Sequence, residues 1–174
     1  ASYSDSPALG IPDNDGGGIS TTIPVAGITN INDLTVDLTI DHTWSGDLFV
    51  SLQSPGGTVI TLVDRPGVPA STFGCSDDGF DVTFDDASAN DLENTCFFTA
   101  APITGTYYPV NPLSSFDTED ANGNWTLFVS DNISGDTGSI LSWNLNISGD
   151  GPTVYTQLSL DVTGNYTVDP LNDI

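Results

Sequence analysis

The stretch LTVDLTIDHTWSGDLFVSLQSPGGTVITLV, residues 34 to 63, decides the fold class of this chain. Its first seven residues alternate apolar and polar side chains, which is the pattern of a strand that buries one face. The alternation resumes at Leu48, and the Pro-Gly-Gly turn at residues 55 to 57 leads into a further strand at residues 58 to 63. The stretch therefore predicts consecutive strands joined by short turns.

Similar short strands recur along the chain. They are predicted at residues 21 to 25, 81 to 84, 125 to 131 and 140 to 147, with Gly, Pro, Asn and Asp between them. No helical period of useful length is present. Because each sheet must bury one face against another, the pattern predicts an all-β fold, an antiparallel β-sandwich or barrel. The alternation alone leaves jelly-roll and immunoglobulin topologies both open.

The composition limits the partners of the chain. Its 174 residues include 1 Lys or Arg against 24 Asp and Glu, which gives a formal net charge of -23. Such a surface repels phosphate backbones and anionic bilayers, so we expect neither nucleic acid nor a membrane as a partner. No apolar run approaches the roughly 20 residues that span a bilayer. Self-repulsion among so many carboxylates favours bound cations or a salty medium.

Two cysteines, Cys75 and Cys96, bracket an acidic segment. An even cysteine count without a CxxC motif favours one disulfide formed outside the cytosol, and therefore a secreted domain. The chain begins at Ala1 with neither an initiator Met nor a signal region. We therefore expect it to be a processed or excised piece of a larger protein.

His42 is the single histidine, and Ser45 and Asp47 follow it closely, so this turn has the composition of a catalytic triad. A triad needs a base that reaches both nucleophile and carboxylate, and its members come from separate elements in known arrangements. Residues of one tight turn rarely meet that requirement, and no GxSxG elbow is present. We interpret His42 as a structural residue. We expect Asp47 either to accept hydrogen bonds in the turn or to join a metal site.

The acidic segment between the cysteines is the strongest candidate for a metal site. Its carboxylates, inside one predicted disulfide ring, are those of Asp77, Asp78, Asp81, Asp85, Asp86, Asp91 and Glu93. Calcium prefers roughly six to eight oxygen ligands, and soft ligands are absent here, so Ca²⁺ is the predicted cofactor. The alternative is a solvated acidic loop of a salt-adapted protein.

Two further clusters are candidate calcium loops. The glycine-rich turn PDNDGGG, residues 12 to 18, offers Asp13 and Asp15. The segment DTEDANGNW, residues 117 to 125, lacks the spacing of an EF-hand. Its candidate ligands are Asp117, Glu119 and Asp120. Clusters of Asp, Asn and Gly are also ordinary turn chemistry, so the turn interpretation stays open for both.

Three other features bear on binding. Trp44 lies in a turn and is the candidate ligand platform, whereas Trp125 and Trp143 lie in strand patterns that favour core burial. Arg65, the only strong cation, is expected to form a structural ion pair. Glycosylation sequons that matter only in a glycosylating source begin at Asn124, Asn132, Asn146 and Asn165.

Two long blocks resemble a known family. They are residues 42 to 63 and NGNWTLFVSDNISGDTGSILSWNLNISG, residues 122 to 149, and an IPD start at 11 to 13 precedes them. Together they resemble the P domain, or homo B domain, which follows the catalytic domain in kexin- and furin-type proprotein convertases and occurs in many secreted bacterial proteins, including subtilisin-like proteases. The resemblance implies a jelly-roll-like β-sandwich over residues 11 to 149. In the bacterial branch it also implies a Cys-bracketed acidic insert and calcium.

The resemblance further implies an accessory function. In convertases the P domain packs against the protease domain and supports its folding and stability, but contributes no triad residue. We therefore expect a non-catalytic, calcium-binding module of a secreted bacterial subtilisin-like serine endopeptidase. Its partner would be the catalytic domain of the same parent chain, and the isolated domain would be a monomer. The alternative is a secreted jelly-roll module that binds carbohydrate or protein.

The resemblance also suggests how the chain is divided. Residues 1 to 10 would be an N-terminal linker. Residues 150 to 174 contain one more alternating piece, in which Leu158, Leu160 and Val162 align. This last segment is expected to be an extra edge strand or a linker to a further domain.

Overall fold

The computed structural model describes residues 1–152, 156–160 and 166–170. Two sheets form the predicted all-β, jelly-roll-like sandwich. Its strands are β1 (Ser2–Asp5), β2 (Leu9–Ile11), β3 (Asp15–Val25), β4 (Asn30–His42), β5 (Leu48–Gln53), β6 (Val59–Asp64), β7 (Phe80–Phe84), β8 (Ile103–Tyr107), β9 (Gly123–Asp131) and β10 (Gly138–Asp150). Short 3-10 helices occupy Ser45–Asp47 and Leu113–Phe116. In the described ranges no helix is long and apolar enough to cross a membrane.

The strand order defines the two layers. The larger sheet runs β1–β10–β4–β7–β8, and β2 also pairs with β10. The smaller sheet runs β3–β9–β5–β6. All of these pairs are antiparallel except β7 with β8, which is parallel. The expectation of a wholly antiparallel sandwich is therefore corrected at β8, because the long connection over residues 85 to 102 carries the chain back to the end where β7 began.

The first ten residues, expected to be a linker, contribute to the larger sheet. Strand β1 pairs with β10, with Ser2 opposite Asn146, and the ammonium group of Ala1 donates a hydrogen bond to the Ile147 carbonyl at 2.7 Å. Strand β2 begins at Leu9 and pairs with the other end of β10. The N-terminal segment thus covers an edge of the sandwich.

The C-terminal segment contains two strands, β11 (Thr156–Leu160) and β12 (Tyr166–Pro170), which pair antiparallel with each other. Among the described residues they make a separate two-stranded ladder and pair with no strand of the sandwich. The predicted alternation included Val162, which lies outside the described residues.

The core lies between the two sheets. Both strand tryptophans, Trp125 and Trp143, are buried there as predicted, and the Trp125 ring packs edge-on against Phe116 at 4.9 Å between centroids. The Nε1 atom of Trp125 donates a hydrogen bond to the Ala121 carbonyl at 3.0 Å. Full burial of one large apolar side chain contributes roughly 1.5–3 kcal/mol. The predicted face of β4 is also buried, at Leu34, Val36, Leu38 and Ile40.

Two connections cross from one sheet to the other at the same end of the sandwich. Residues 43 to 47 lead from β4 to β5, and residues 132 to 137 lead from β9 to β10. The Asn132 N–H donates to the Asp47 carbonyl at 3.0 Å, and the Thr43 N–H donates to the Thr137 carbonyl at 3.2 Å. These bonds hold the two crossings side by side and position the candidate site.

Candidate metal centre at the end of the sandwich

Four aspartates gather where the two crossings meet. We call them the end cluster: Asp13, Asp47, Asp131 and Asp136. The Asp13 carboxylate accepts a hydrogen bond from the Gly135 N–H at 3.1 Å, and the Asp136 carboxylate accepts one from the Thr43 hydroxyl at 2.8 Å. Segments far apart in sequence are thereby tied together around one point.

Asp47 is the unusual member of the end cluster. The residue is 1% exposed, and among the described residues neither carboxylate oxygen has a hydrogen-bond partner. The pKa of Asp47 is raised to about 7, first by burial and then by the negative charges of Asp131 and Asp136. The expectation that Asp47 accepts hydrogen bonds within its turn is therefore wrong. Its alternative, membership of a metal site, stays a prediction.

Arg65 is close enough to lower the pKa of Asp47 but does not pair with it. Its Nε atom donates to the Gly46 carbonyl at 3.1 Å, while Nη2 is buried without a partner. Within the described ranges the single salt bridge joins His42 and Asp131. The structural ion pair expected for Arg65 is thus not formed there, because its guanidinium is turned toward a backbone carbonyl.

His42 is fully buried between the two sheets. Its Nε2 atom lies 3.3 Å from Oδ2 of Asp131, and its Nδ1 atom lies 3.0 Å from the Trp44 carbonyl oxygen. The Ser45 hydroxyl donates to the Asp77 carbonyl at 2.7 Å and accepts from the Gly79 N–H at 3.0 Å. His42, Ser45 and Asp47 therefore do not assemble into a triad. This arrangement agrees with the interpretation of His42 as a structural residue.

A cavity of about 240 Å³ opens beside Asp47. Its walls are formed by Trp44, Asp47, Phe73, Ile133, Ser134 and Asp136. Trp44 is half-buried, and its Nε1 atom donates to the Phe73 carbonyl at 2.6 Å. The residue predicted as a ligand platform thus lines a cavity together with two aspartates, Asp47 and Asp136.

Cys75 and Cys96 form the predicted disulfide. Inside the ring, Asp77 is fully buried and accepts hydrogen bonds from the N–H groups of Phe97 and Thr99, each at 3.1 Å. The Asp86 carboxylate accepts from two consecutive N–H groups at the start of the 3-10 helix at Leu113–Phe116, each at 2.8 Å. Backbone amides therefore already stabilise the charge of both carboxylates.

The other predicted ligands of the ring lie apart. Asp85 accepts the Ala87 N–H at 2.8 Å, Asp81 is exposed beside Thr39, and Asp78 is half-buried at the surface. In the described part of the chain, one group of three His, Cys, Asp or Glu side chains brings ligating atoms within 4.8 Å of one another. It consists of Cys75, Asp77 and Cys96, whose two sulfurs are joined in the disulfide.

The remaining two predicted clusters are divided by the fold. Asp13 joins the end cluster, while the Asp15 carboxylate accepts the Gly17 N–H at 2.8 Å within its own turn. Glu119 accepts hydrogen bonds from the hydroxyls of Ser54, at 2.6 Å, and Thr58. Asp120 accepts the Asn122 N–H at 2.9 Å, and Asp117 is exposed.

Sequence reasoning missed Asp131, Asp136 and the partial burial of Glu93. Burial raises the pKa of Glu93 to about 7 although its carboxylate accepts the Asp64 N–H at 2.9 Å. The usable signal for Asp131 and Asp136 was the segment DNISGD, residues 131 to 136, which begins at the last residue of strand β9. Their link to Asp47 depends on pairing across the sheet, which no local pattern shows.

Comparisons with known proteins give a consistent result. The family model described as "Proprotein convertase P-domain" matches residues 31–147. Leupeptin-inactivating enzyme 1 of Streptomyces exfoliatus is 32% identical over 146 residues, which are 83% of this chain and 25% of that protein. The chain thus spans about a quarter of the length of that relative.

Two solved structures share the fold. A serine protease of Aeromonas sobria in complex with a chaperone matches with a TM-score of 0.55 and 18% identity, over 87% of this chain and 27% of the protease. The serine protease of Aeromonas sobria alone matches with a TM-score of 0.52 and 19% identity, over 84% and 26%. At these identities the likeness shows the fold.

Proposed function

We propose a function on one established premise: this chain belongs to the proprotein convertase P-domain family. The proposed function is that of a non-catalytic, calcium-binding accessory module of a secreted bacterial serine endopeptidase of the subtilisin type. The module supports the folding and stability of the catalytic domain in the same parent chain. The observation that carries this proposal is the family match over residues 31–147, which spans most of both sequence blocks that resemble the P domain.

The geometry around His42 supports a non-catalytic role. A general base must come within hydrogen-bond reach of a substrate proton, but His42 is fully buried and faces Asp131 and the Trp44 carbonyl. Ser45 is also buried, with its hydroxyl bonded to backbone groups of Asp77 and Gly79. A peptide substrate would have no access to either group.

An exposed apolar surface supports a protein partner. Phe73, Phe97 and Phe98 are 57%, 55% and 65% exposed, and they lie next to the disulfide in the chain. Large exposed aromatic rings close together are typical of interaction surfaces, since they gain most from being covered. We assign the surface formed by Phe73, Phe97 and Phe98 to the contact with the catalytic domain. The disulfide itself supports a compartment outside the cytosol.

Calcium is the proposed cofactor because of the charge and the ligand chemistry. The formal net charge of -23 needs counterions, and the buried Asp47 carboxylate has oxygens that nothing in the described chain partners. Oxygen ligands of this kind suit a hard divalent cation. A bound ion would reduce repulsion among the aspartates around it and stabilise the folded state by mass action.

A peptidase assay of the purified chain tests the non-catalytic role. The chain is incubated with casein and with fluorogenic peptides, in calcium and in chelator, and an active subtilisin serves as positive control. We expect no cleavage above background. Cleavage that disappears in both the His42→Ala and the Ser45→Ala variants, each shown to be folded by circular dichroism, would overturn the proposal.

A further inference from the structure

We propose that the end cluster of Asp13, Asp47, Asp131 and Asp136 binds one divalent cation, calcium by its ligand chemistry, beside the Asp47 carboxylate. The proposal rests on the calcium dependence proposed above and gives it a location. That location is at the end of the sandwich and outside the disulfide ring that the sequence favoured.

The first argument is the unpartnered Asp47 carboxylate. It belongs to a residue that is 1% exposed and lines the cavity of about 240 Å³, and within the described chain neither of its oxygens accepts a hydrogen bond. Buried polar atoms in folded proteins nearly always have a partner, which can be protein, ordered water or an ion. Within the described chain no protein group fills this role, so a ligand must be sought in the cavity.

The second argument is the convergence of the cluster by topology. Strand pairing places Leu48 opposite Asp131, so Asp47 lies next to the end of β9. The pairing of Asp15 with Asp131 brings the turn that holds Asp13 to the same point. Asp136 lines the cavity together with Asp47. Four chain segments thus supply like charges at one location.

The third argument is the shortage of positive charge. His42 contacts Asp131 through Nε2, and Arg65 acts on Asp47 only at a distance. Most other acidic groups considered as ligands accept backbone N–H or hydroxyl hydrogen bonds, as Asp77, Asp86 and Glu119 do. The end cluster differs from them because, within the described chain, the buried Asp47 carboxylate accepts no such bond.

The donor set identifies the class of ion. No three carboxylates of the end cluster lie within 4.8 Å of one another in the described chain, so backbone carbonyls and waters must complete the coordination. Calcium accepts such mixed and irregular oxygen sets, whereas Mg²⁺ demands a near-octahedral one and zinc prefers nitrogen and sulfur. A cavity of about 240 Å³ has room for the ion with several waters.

The test compares calcium affinity in matched variants of the full chain. Asp47→Asn and Asp136→Asn each remove one charge from the cluster at nearly constant volume. Asp33→Asn removes one charge at an exposed position that no candidate metal site includes, and it is the control. Binding is measured by calorimetry with calcium alone, and by Tb³⁺ luminescence, since Trp44 lines the cavity and can sensitise a bound lanthanide.

We expect calcium affinity to fall at least tenfold in Asp47→Asn and in Asp136→Asn, and to stay within about twofold of the wild type in Asp33→Asn. Terbium emission excited through tryptophan should fall in the same two variants and be displaced by calcium. Circular dichroism in chelator checks that each variant is folded. If Asp47→Asn does not fold, the calcium affinity of Asp136→Asn alone decides the test.

Three results would overturn the proposed site. If both cluster variants bind calcium as the wild type does, the ion is bound elsewhere and the proposed calcium dependence survives without this site. If the wild type binds no calcium, both the site and the calcium dependence are wrong. If Asp136→Asn weakens binding while a folded Asp47→Asn binds calcium as the wild type does, the ion does not lie beside the Asp47 carboxylate and the proposed location is wrong.

Discussion

The Nε2 atom of His42 lies 3.3 Å from Oδ2 of Asp131, and neither side chain is exposed to solvent. His42 ends strand β4 of the larger sheet and Asp131 ends strand β9 of the smaller sheet, so the pair connects the two layers. The other oxygen of Asp131 accepts the Ile133 N–H at 3.0 Å. The only histidine of the chain therefore links the two sheets at the end of the sandwich.

Replacing His42 should destabilise the chain strongly. His42→Ala leaves the buried Asp131 carboxylate without this hydrogen-bond partner, and leaving a buried charged group unsatisfied costs roughly 1–3 kcal/mol or more. Urea unfolding measures the loss, and the exposed Asp41→Asn variant is the control, with an expected change within about 0.5 kcal/mol. A loss below about 1 kcal/mol in His42→Ala would contradict the structural role.

Opening the disulfide should cost about 3 kcal/mol. Cys75 and Cys96 are 21 residues apart, and the closure of a loop of this length removes that much entropy from the unfolded chain. The Cys75→Ser/Cys96→Ser double variant should melt at a lower temperature than the wild type. Reducing agent should lower the melting temperature of the wild type by the same amount and leave that of the variant unchanged. Equal stability of the two proteins would mean that the ring is held by other contacts.

Glu93 should make stability depend on pH. Its folded-state pKa, about 7, lies above the ordinary value of 4.5 because burial penalises the charged form. The loss of folding stability caused by ionising Glu93 is therefore absent below about pH 4.5. It grows as the pH rises toward about 7 and is complete above that value.

We therefore expect Glu93→Gln to unfold at the same urea concentration as the wild type near about pH 4, and to be more stable by about 1–3 kcal/mol near about pH 8. The amide oxygen of Gln can still accept the Asp64 N–H. Exposed Asp117→Asn is the charge-matched control, with no such pH dependence. A gain that is equal at both pH values would show that the effect is not due to ionisation.

Glu119 should stabilise the β5–β6 hairpin independently of calcium. Its carboxylate accepts the hydroxyls of Ser54 and Thr58, which flank the turn between these strands. Glu119→Ala should lose about 1–3 kcal/mol, because hydrogen bonds to a charged group are worth that much. The loss should be the same in calcium and in chelator. A loss seen only in calcium would instead make Glu119 a metal ligand, as its sequence context allowed.

The strands could be predicted where alternation is strict. Residues 34 to 40 alternate over the whole segment, and their apolar side chains are buried as expected. Strand β8, Ile103–Tyr107, was missed because only its two end residues are buried and Gly105 interrupts the pattern. Its parallel pairing with β7 follows from the long connection over residues 85 to 102, which residue periodicity does not encode.

The acidic residues show why the candidate site was harder to predict than the fold. The sequence reveals local density of carboxylates, and by that measure the ring between Cys75 and Cys96 ranks first. Density does not reveal which carboxylates are already partnered. Asp77 and Asp86 are satisfied by distant backbone N–H groups, whereas Asp47 is not, and that difference arises only from tertiary pairing.

The most direct test of the account is deletion of this domain from the protease that we propose as its parent protein. The parent reading frame is expressed with and without the P domain, and soluble protein, melting temperature and endopeptidase activity are compared, with added purified chain as a rescue. The account predicts that the catalytic residues lie outside this chain and that its deletion causes loss of soluble, active protease. Undiminished yield, stability and activity without the chain would contradict it.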